Sequence, residues 1–402
     1  MKLVERHIIN RRHKLFAEID ALCFASKNLY NQANYQIRQE FFKTGQVLRY
    51  GRLDKLLQAT EAYKSLPAKV SQQVLILLTT NWQAFLRASE AYKTQPEKFH
   101  ARPKIPNYKD KQHGRNILVY TIQAISKPYL KKRLVHLSKT TITFPTQHTN
   151  IHQVRIVPRL DHYVIEVVYE LAEQPACPNG SIVGVDIGLA NLAAVTSNKA
   201  GVAPFLINGR PLKAYNAYFN KCRAKLQAAL GQQQTMTRQL QRLTHKRNCK
   251  IAHYLHQASK FLIEQLRTHD VRTLVIGKNP EWKQAINLGR RSNQNFVAIP
   301  HAQFIAQLQY KAQLAGIEVI IVEESYTSKC SFLDHEQLGH HESYLGKRVH
   351  RGLFRSAQGT LLNADINGAA NIIRKVFPNA FADGIQGVVV RPVRITPGQP
   401  VF

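Results

Sequence analysis

The sequence predicts a mixed α/β plus β fold: an α/β unit in the C-terminal half, preceded by a β-rich half with an inserted helical region. Three observations lead there. First, VRTLVIG (271–277) and IEVIIV (317–322) are short apolar runs flanking a helical segment, His301–Ala315, that stops at Gly316. Strand, helix, strand in that order is a βαβ unit, which implies parallel pairing and a right-handed crossover. Second, TTITF (140–144), HQVRIVP and DHYVIEVVYEL read as strands, the last two joined at Arg159–Asp161. Such a series is a β-meander or a small barrel. Third, in Lys69–Leu86 the residues Val70, Val74, Leu75, Leu78, Trp82, Phe85 and Leu86 fall on one helical face.

Taken in order, Met1–Asn10 reads as a strand and a helical region follows. HARPKIPNYKDK (100–111) ends that region, because its prolines rule out a continuous helix. From about 115 to 173 the pattern is strands, and PACPNGS (175–181) is a turn-rich linker. IVGVDIGLANLAAVTSN (182–198) reads as a buried strand that lifts one carboxylate, Asp186, to its tip and turns back as a hairpin at Gly188. Two helical stripes come next: Phe219, Cys222, Leu226 and Leu230, then Ile251, Leu255, Ala258, Leu262 and Leu266, expected to pack as an antiparallel pair. Residues 331–362 are His- and Gly-rich and read as irregular. In NADINGAANIIRK, Asn363 or Asp365 can start a helix that buries Ile366, Ala369, Ala370 and Ile373. A Pro-containing tail ends the chain, and neither an internal repeat nor a low-complexity block is present.

At 402 residues the chain is long for one domain, and an apolar fraction of 44% suffices for sizeable cores. The formal net charge is +31, spread along the chain. Such a molecule repels itself unless a polyanion covers it, and nucleic acid is the natural partner. No apolar run approaches the ~18 residues of a membrane span, and the N-terminus does not resemble a signal peptide. No membrane partner is expected. A cytoplasmic protein, in a prokaryotic cytosol or nucleoid, is. Cys23, Cys177, Cys222, Cys249 and Cys330 form no CxxC pair, and their odd count and wide spacing fit reduced thiols.

An unpaired buried carboxylate is costly, and a divalent metal ion would justify Asp186. Asp365 is a second acid of the same kind. A metal-dependent nuclease needs carboxylates from separate segments meeting at one sheet end, holding two Mg²⁺ roughly 3.5–4 Å apart. A third acid should follow a neighbouring strand. LVIGKN ends in Gly277, which offers no ligand, whereas IEVIIVEESYTSK ends in Glu323 and Glu324. Glu281, a few residues past the earlier strand, is a rival. Strand alternation turns Glu323 to the face opposite Glu324.

VGVDIGL, ESYTSKCS, NADINGAANII and NGRPLKAYN (208–216), in that family's order, resemble TnpB, the RNA-guided DNA endonuclease encoded by insertion sequences. The resemblance covers nearly the whole chain and is strongest from 180 to 376. It implies a wedge-type β-barrel (1–10 and 97–175) with an inserted helical recognition region (11–96). It further implies an RNase H-like RuvC nuclease domain (180–329 and 361–376) and a tail at 377–402. The insertion at 330–360 lacks the family's CxxC zinc pairs, retaining only Cys330 with His340, His341 and His350 nearby, so zinc is not expected. The partners implied are a guide RNA and double-stranded target DNA cut beside a short target-adjacent motif, with a monomer on one RNA as the expected assembly. By the same resemblance Asp186 and Asp365 match the first and last catalytic acids, with Mg²⁺, or alternatively Mn²⁺, as cofactor.

The family's glutamate falls where this chain has Gly277. Either the acid has moved to Glu324, or the protein binds DNA under RNA guidance without cutting, as TnpB-like repressors do. Asp186, Glu324 and Asp365 are therefore the candidate catalytic and metal-holding set. Among the basic segments, Arg102, Lys104, Lys109 and Lys111, with Tyr108 between them, are candidates to clamp phosphates and stack a base. Lys69, Ser71 and Gln73 lie near the family's motif-reading region, and Lys213, Arg247 and Lys250 are candidates to line a guide–target duplex channel.

Overall fold

The computed structural model describes residues 1–178, 180–230, 236–279, 294, 297–382 and 392–398. The chain divides into two compact units, Met1–Leu171 and Ala172–Phe402. Among the described residues no helix is long and apolar enough to cross a membrane.

The first unit is built on a four-stranded antiparallel sheet. Strand β1 (Lys2–Asn10) pairs along its length with β6 (His162–Glu170), which forms a hairpin with β5 (Ile151–Pro158), which pairs with β2 (Leu118–Thr121). Between β1 and β2 the chain runs through helices α1 (Phe16–Thr44), α2 (Tyr50–Leu57), α3 (Glu61–Lys64) and α4 (Ala68–Thr94). Alternation on β5 and β6 sends Val154, Ile156, Ile165 and Val167 into one core with Ile19, Leu29, Val70, Leu78 and Trp82 from the helices. Two expectations need correction here. The sheet does not close into a barrel, because β1 and β2 are its free edges and four strands are too few to curl round to one another. TTITF does not join the meander either: β4 (Thr143–Pro145) pairs with β3 (Leu134–His136), which follows the short helix α5 (Lys127–Lys131), as a separate ribbon. The α4 stripe is buried from Val70 to Trp82, but Leu86 is exposed, because the helix outruns the core.

The second unit holds a six-stranded mixed sheet. Strands β7 (Ser181–Ile187), β8 (Asn191–Ser197) and β9 (Phe205–Asn208) form an antiparallel meander. Helices α6 (Arg210–Ala228) and α7 (Arg238–Thr268) follow, then β10 (Val271–Gly277), α8 (His301–Leu314) and β11 (Glu318–Val322). Both β10 and β11 run parallel to β7, in the order β11-β10-β7-β8-β9, with β15 (Val393–Ile395) beyond β9. The βαβ unit is thus present, and β10 sits centrally between two parallel neighbours with only Arg272 exposed. That burial on both faces explains why VRTLVIG reads as a continuous apolar run. Helix α7 packs on α6 and on α8.

Residues 331–362 are more regular than their composition suggests. They contain a small antiparallel sheet of β12 (Lys347–His350), β13 (Leu353–Arg355) and β14 (Leu361–Asn363). Buried Glu336 ties the preceding loop, accepting hydrogen bonds from the Ser331 and Leu345 amides. Helix α9 (Ala364–Val376) follows directly. Its N-cap is Asn363, whose side chain accepts from the Asp365 and Ile366 amides, so Asp365 falls in the first turn.

Candidate functional site

Asp186 is the penultimate residue of β7, and Glu324 lies two residues past the end of β11. Both strands are parallel to β10, so both acids emerge at the same rim of the sheet. Helix α9 lies against β7 and carries Asp365 to that rim. The approach is close enough to demand glycine on both sides. A Cβ on Gly184 would stand 2.3 Å from the Ala369 carbonyl oxygen, and one on Gly368 would stand 2.7 Å from Asp186 Oδ2. Asp186, Glu324 and Asp365 are thereby brought together from segments far apart in the chain.

The geometry at Gly277 is equally specific. Gly277 ends β10 one residue beyond the Val185–Ile276 pair, level with Asp186. A Cβ there would meet Glu324 Cγ at 2.6 Å and Glu324 Oε1 at 2.8 Å. The Glu324 side chain therefore fills the space that a side chain at position 277 would occupy. The Asn279 side chain accepts a hydrogen bond from the Glu324 amide at 3.0 Å and fixes where the carboxylate departs from the backbone. Glu323 is exposed. Glu281 lies outside the described residues.

Electrostatics sets the site apart. Burial raises Asp186 well above the ordinary carboxylate range, and the charges of Glu324 and Asp365 raise it further. Burial alone pushes Glu324 up to about 7. Among the described residues, Glu324 Oε1 is buried with no hydrogen-bond partner. Asp365 is better supplied: Asn191 Nδ2 donates to its Oδ2 at 2.7 Å, and Arg348 from β12 reaches its Oδ1 at 3.3 Å. Arg394 in turn donates to Asn191 Oδ1. Sequence reasoning missed Asn191, Asn279 and Arg348. Asn191 stands in the hairpin segment with Asp186, and Arg348 stands in the only strand of the insertion that is exposed throughout, a polar stretch without a local signal.

The proposed basic contacts divide. Lys69, Arg102, Lys104, Lys111 and Lys250 are exposed, while Gln73, Lys109 and Lys213 are half-buried. The Tyr108 ring is exposed and lies under the Arg38 guanidinium at 4.4 Å. The Lys250 ammonium stands 5.0 Å from the Tyr215 ring centre. Two candidates are corrected. Ser71 is fully buried and its hydroxyl donates to the Tyr63 carbonyl at 2.8 Å, because it falls on the α4 face that packs inward next to Val70. Arg247 is partly buried and donates to Asn216, Asn248 and the Ala298 carbonyl, joining α6, α7 and the segment before α8. Each of its three guanidinium nitrogens thus makes one bond inside the fold.

Residues 162–283 match the OrfB_IS605 family, described as a probable transposase, and residues 301–372 match a family described as the Cas12f1-like TNB domain. A TnpB-like protein of Acidianus two-tailed virus is 25% identical over 413 residues, covering 92% of this chain and 83% of that one. A CRISPR-associated endodeoxyribonuclease, Cas12f2, of a Micrarchaeota archaeon is 26% identical over 235 residues, 54% of this chain and 41% of the relative. The solved structure of the mini-RNA-guided endonuclease CRISPR-Cas_phi3 aligns with a TM-score of 0.49 at 10% identity, covering 99% of this chain and 94% of that one. Over most of its length the chain is similar to a TnpB-like protein, in keeping with the resemblance of its motifs.

Proposed function

We propose that this protein is an RNA-guided, metal-dependent DNA endonuclease whose metal-holding carboxylates are Asp186, Glu324 and Asp365. The observation that carries the reading is the meeting of three acids at one sheet rim, with a buried oxygen on Glu324 that has no hydrogen-bond partner among the described residues. Hard oxygen donors whose charges destabilise one another suit Mg²⁺ or Mn²⁺, and no thiol or imidazole is needed. When bound, two such ions would supply a water of lowered pKa and stabilise the leaving oxygen of a phosphodiester.

The chain's own residues do the rest. Asn279 and the space left at Gly277 orient Glu324, and Asn191 orients Asp365. Arg348, half-exposed, brings a cation to the rim where a phosphate would approach. The strand order, a meander followed by two parallel strands, supports reading 180–329 and 361–376 as an RNase H-like, RuvC-type domain interrupted by the 330–360 insertion. The wedge-like assignment of 1–10 with 97–175, the recognition role of 11–96 and the separate tail at 377–402 belong to the same proposal. Nucleic-acid partners are supported by the +31 charge, and DNA as substrate by the endodeoxyribonuclease relative.

The test uses purified protein with its co-expressed RNA, a target plasmid and Mg²⁺. Alanine at Asp186, Glu324 or Asp365 should abolish cleavage and leave RNA affinity roughly unchanged. Cleavage by Glu324→Ala at the wild-type rate would remove Glu324 from the site. Guided binding without nicking by the wild type would replace the nuclease with an RNA-guided DNA-binding protein.

A further inference from the structure

Within the first unit, the end of α4 that outruns the core forms one wall of an open groove of about 980 Å³. Phe41, Phe85 and Tyr92 supply aromatic surface, and the opposite wall is the strap Arg102–Asn107. This volume lies at the upper end of the range of ligand sites, roughly 300–1,000 Å³. The strap is held in place, not loose. Asn34 and Arg38 of α1 both donate to the Pro106 carbonyl, at 3.0 and 2.6 Å, and Tyr30 donates to the Asn107 carbonyl at 3.1 Å.

The charge of the groove is one-sided. Lys93, Arg102 and Lys104 line it, and no acidic side chain does. Arg102 and Lys104 are exposed and form no ion pair among the described residues. Lys93 meets Glu90 at 3.1 Å, but both are so exposed that the pair is weak. Ser89 and Asn107 add hydroxyl and amide groups that are unpartnered among the described residues. Aromatic walls under a cationic rim are what an unstacked base and its phosphate require, and uncommitted polar groups suit a 2′-hydroxyl.

We propose that this groove binds an unpaired nucleotide of single-stranded RNA, its base against Phe85 and Tyr92 and its phosphate on Arg102 and Lys104. The site is remote in the chain from the three carboxylates, and the proposal rests on the nucleic-acid part of the reading above, not on cleavage. Phe85 packs on Trp82 and Phe41 and supports the fold, whereas among the described aromatic residues Tyr92 contacts only the Phe99 ring, so Tyr92 is the cleaner position to change.

The full-length protein is irradiated with a single-stranded oligoribonucleotide carrying 5-iodouridine, and cross-linked peptides are identified by mass spectrometry. A cross-link on the segment containing Phe85 and Tyr92 is expected. Tyr92→Leu should weaken binding of that RNA by roughly 5- to 150-fold without changing its salt dependence. Arg102→Ala should instead reduce the salt slope by about one. Cross-links confined to other segments, or Tyr92→Leu binding as tightly as wild type, would overturn the proposal. Equal affinity for the deoxyribo-oligonucleotide, cross-linked at the same segment, would overturn its assignment to RNA. A wild-type protein that binds no RNA defeats both this site and RNA guidance, whereas an unchanged Tyr92→Leu in a protein that binds RNA defeats the site alone. The wild-type cross-link reads the site directly if Tyr92→Leu fails to fold.

Discussion

Gly277 and Glu324 share a single volume at the rim of the sheet, and only one of the two positions can fill it. Adding a glutamate at 277 to the wild type would drive its Cβ into the Glu324 side chain and set two carboxylates in the same space. In a Glu324→Ala background those two clashes vanish, and of the three nearest atoms the end of Ile372 at 2.5 Å remains to shift. Gly277→Glu alone is therefore expected to destabilise the fold and impair cleavage, while Gly277→Glu with Glu324→Ala should regain cutting that Glu324→Ala lacks. Plasmid cleavage measured side by side on the three variants decides this, and failure of the double variant to recover would separate the two positions chemically. The raised acids predict a pH dependence. A carboxyl whose folded pKa lies above its unfolded value stabilises the fold at low pH and loses that contribution as pH rises. For Glu324 the window runs from about 4.5 to about 7, and Asp186 shifts in the same direction. Without divalent ions, Glu324→Gln should melt higher than wild type at pH 8 and near wild type at pH 5. Added Mg²⁺ should raise the wild-type Tm more at pH 8 than at pH 5. A Mg²⁺ shift that is equal at both pH values would contradict this account of the site.

Helix α9 is buried on two faces, and only one of them is apolar. Ile366, Ala369, Ala370 and Ile373 pack inward, as their spacing predicts. Asn367 and Asn371 are also fully buried and hold the loop after β11. Asn367 accepts from the Phe332 amide and donates to the Cys330 carbonyl, and Asn371 donates to the Thr327 and Cys330 carbonyls. Because that loop begins at Glu324, these amides couple the placement of two of the three acids. Asn371→Ala leaves the Thr327 carbonyl without its side-chain donor, while the Cys330 carbonyl keeps Asn367, at a cost of roughly 1–3 kcal/mol. It should lower Tm by several degrees and reduce cleavage more than RNA affinity. Wild-type melting and cleavage in this variant would show that the loop holds itself. The helix's polar face was not legible, because asparagine at i and i+4 reads equally well as a solvated surface.

Over the whole molecule, a net charge of +31 predicts that nucleic-acid affinity is dominated by counterion release. If 6–10 phosphates are neutralised, affinity for RNA should fall about 10³- to 10⁵-fold between 50 and 200 mM salt. A change smaller than about tenfold in a filter-binding titration would mean that the charge serves something else. Charge is a sum over the chain, so the expectation needs no coordinates. Its distribution does need them: Ser71 turned inward, Arg247 bonded to groups within the fold, and Arg102 and Lys104 came to line one groove.

What the amino-acid order by itself determined is whatever depends on near neighbours. The β10–α8–β11 unit, the β5–β6 hairpin at Arg159–Asp161, the α4 stripe and the Asn363–Asp365 helix start are all set by periodicity or capping within a few turns of chain. Only the tertiary structure decided which distant pieces meet. It paired β1 with β6 across more than a hundred residues, left that sheet open, placed Glu324 in the space above Gly277, and set Arg348 on Asp365. Those contacts arise from shared burial and charge between segments with no local pattern in common, and such pairings exist only once the chain has folded.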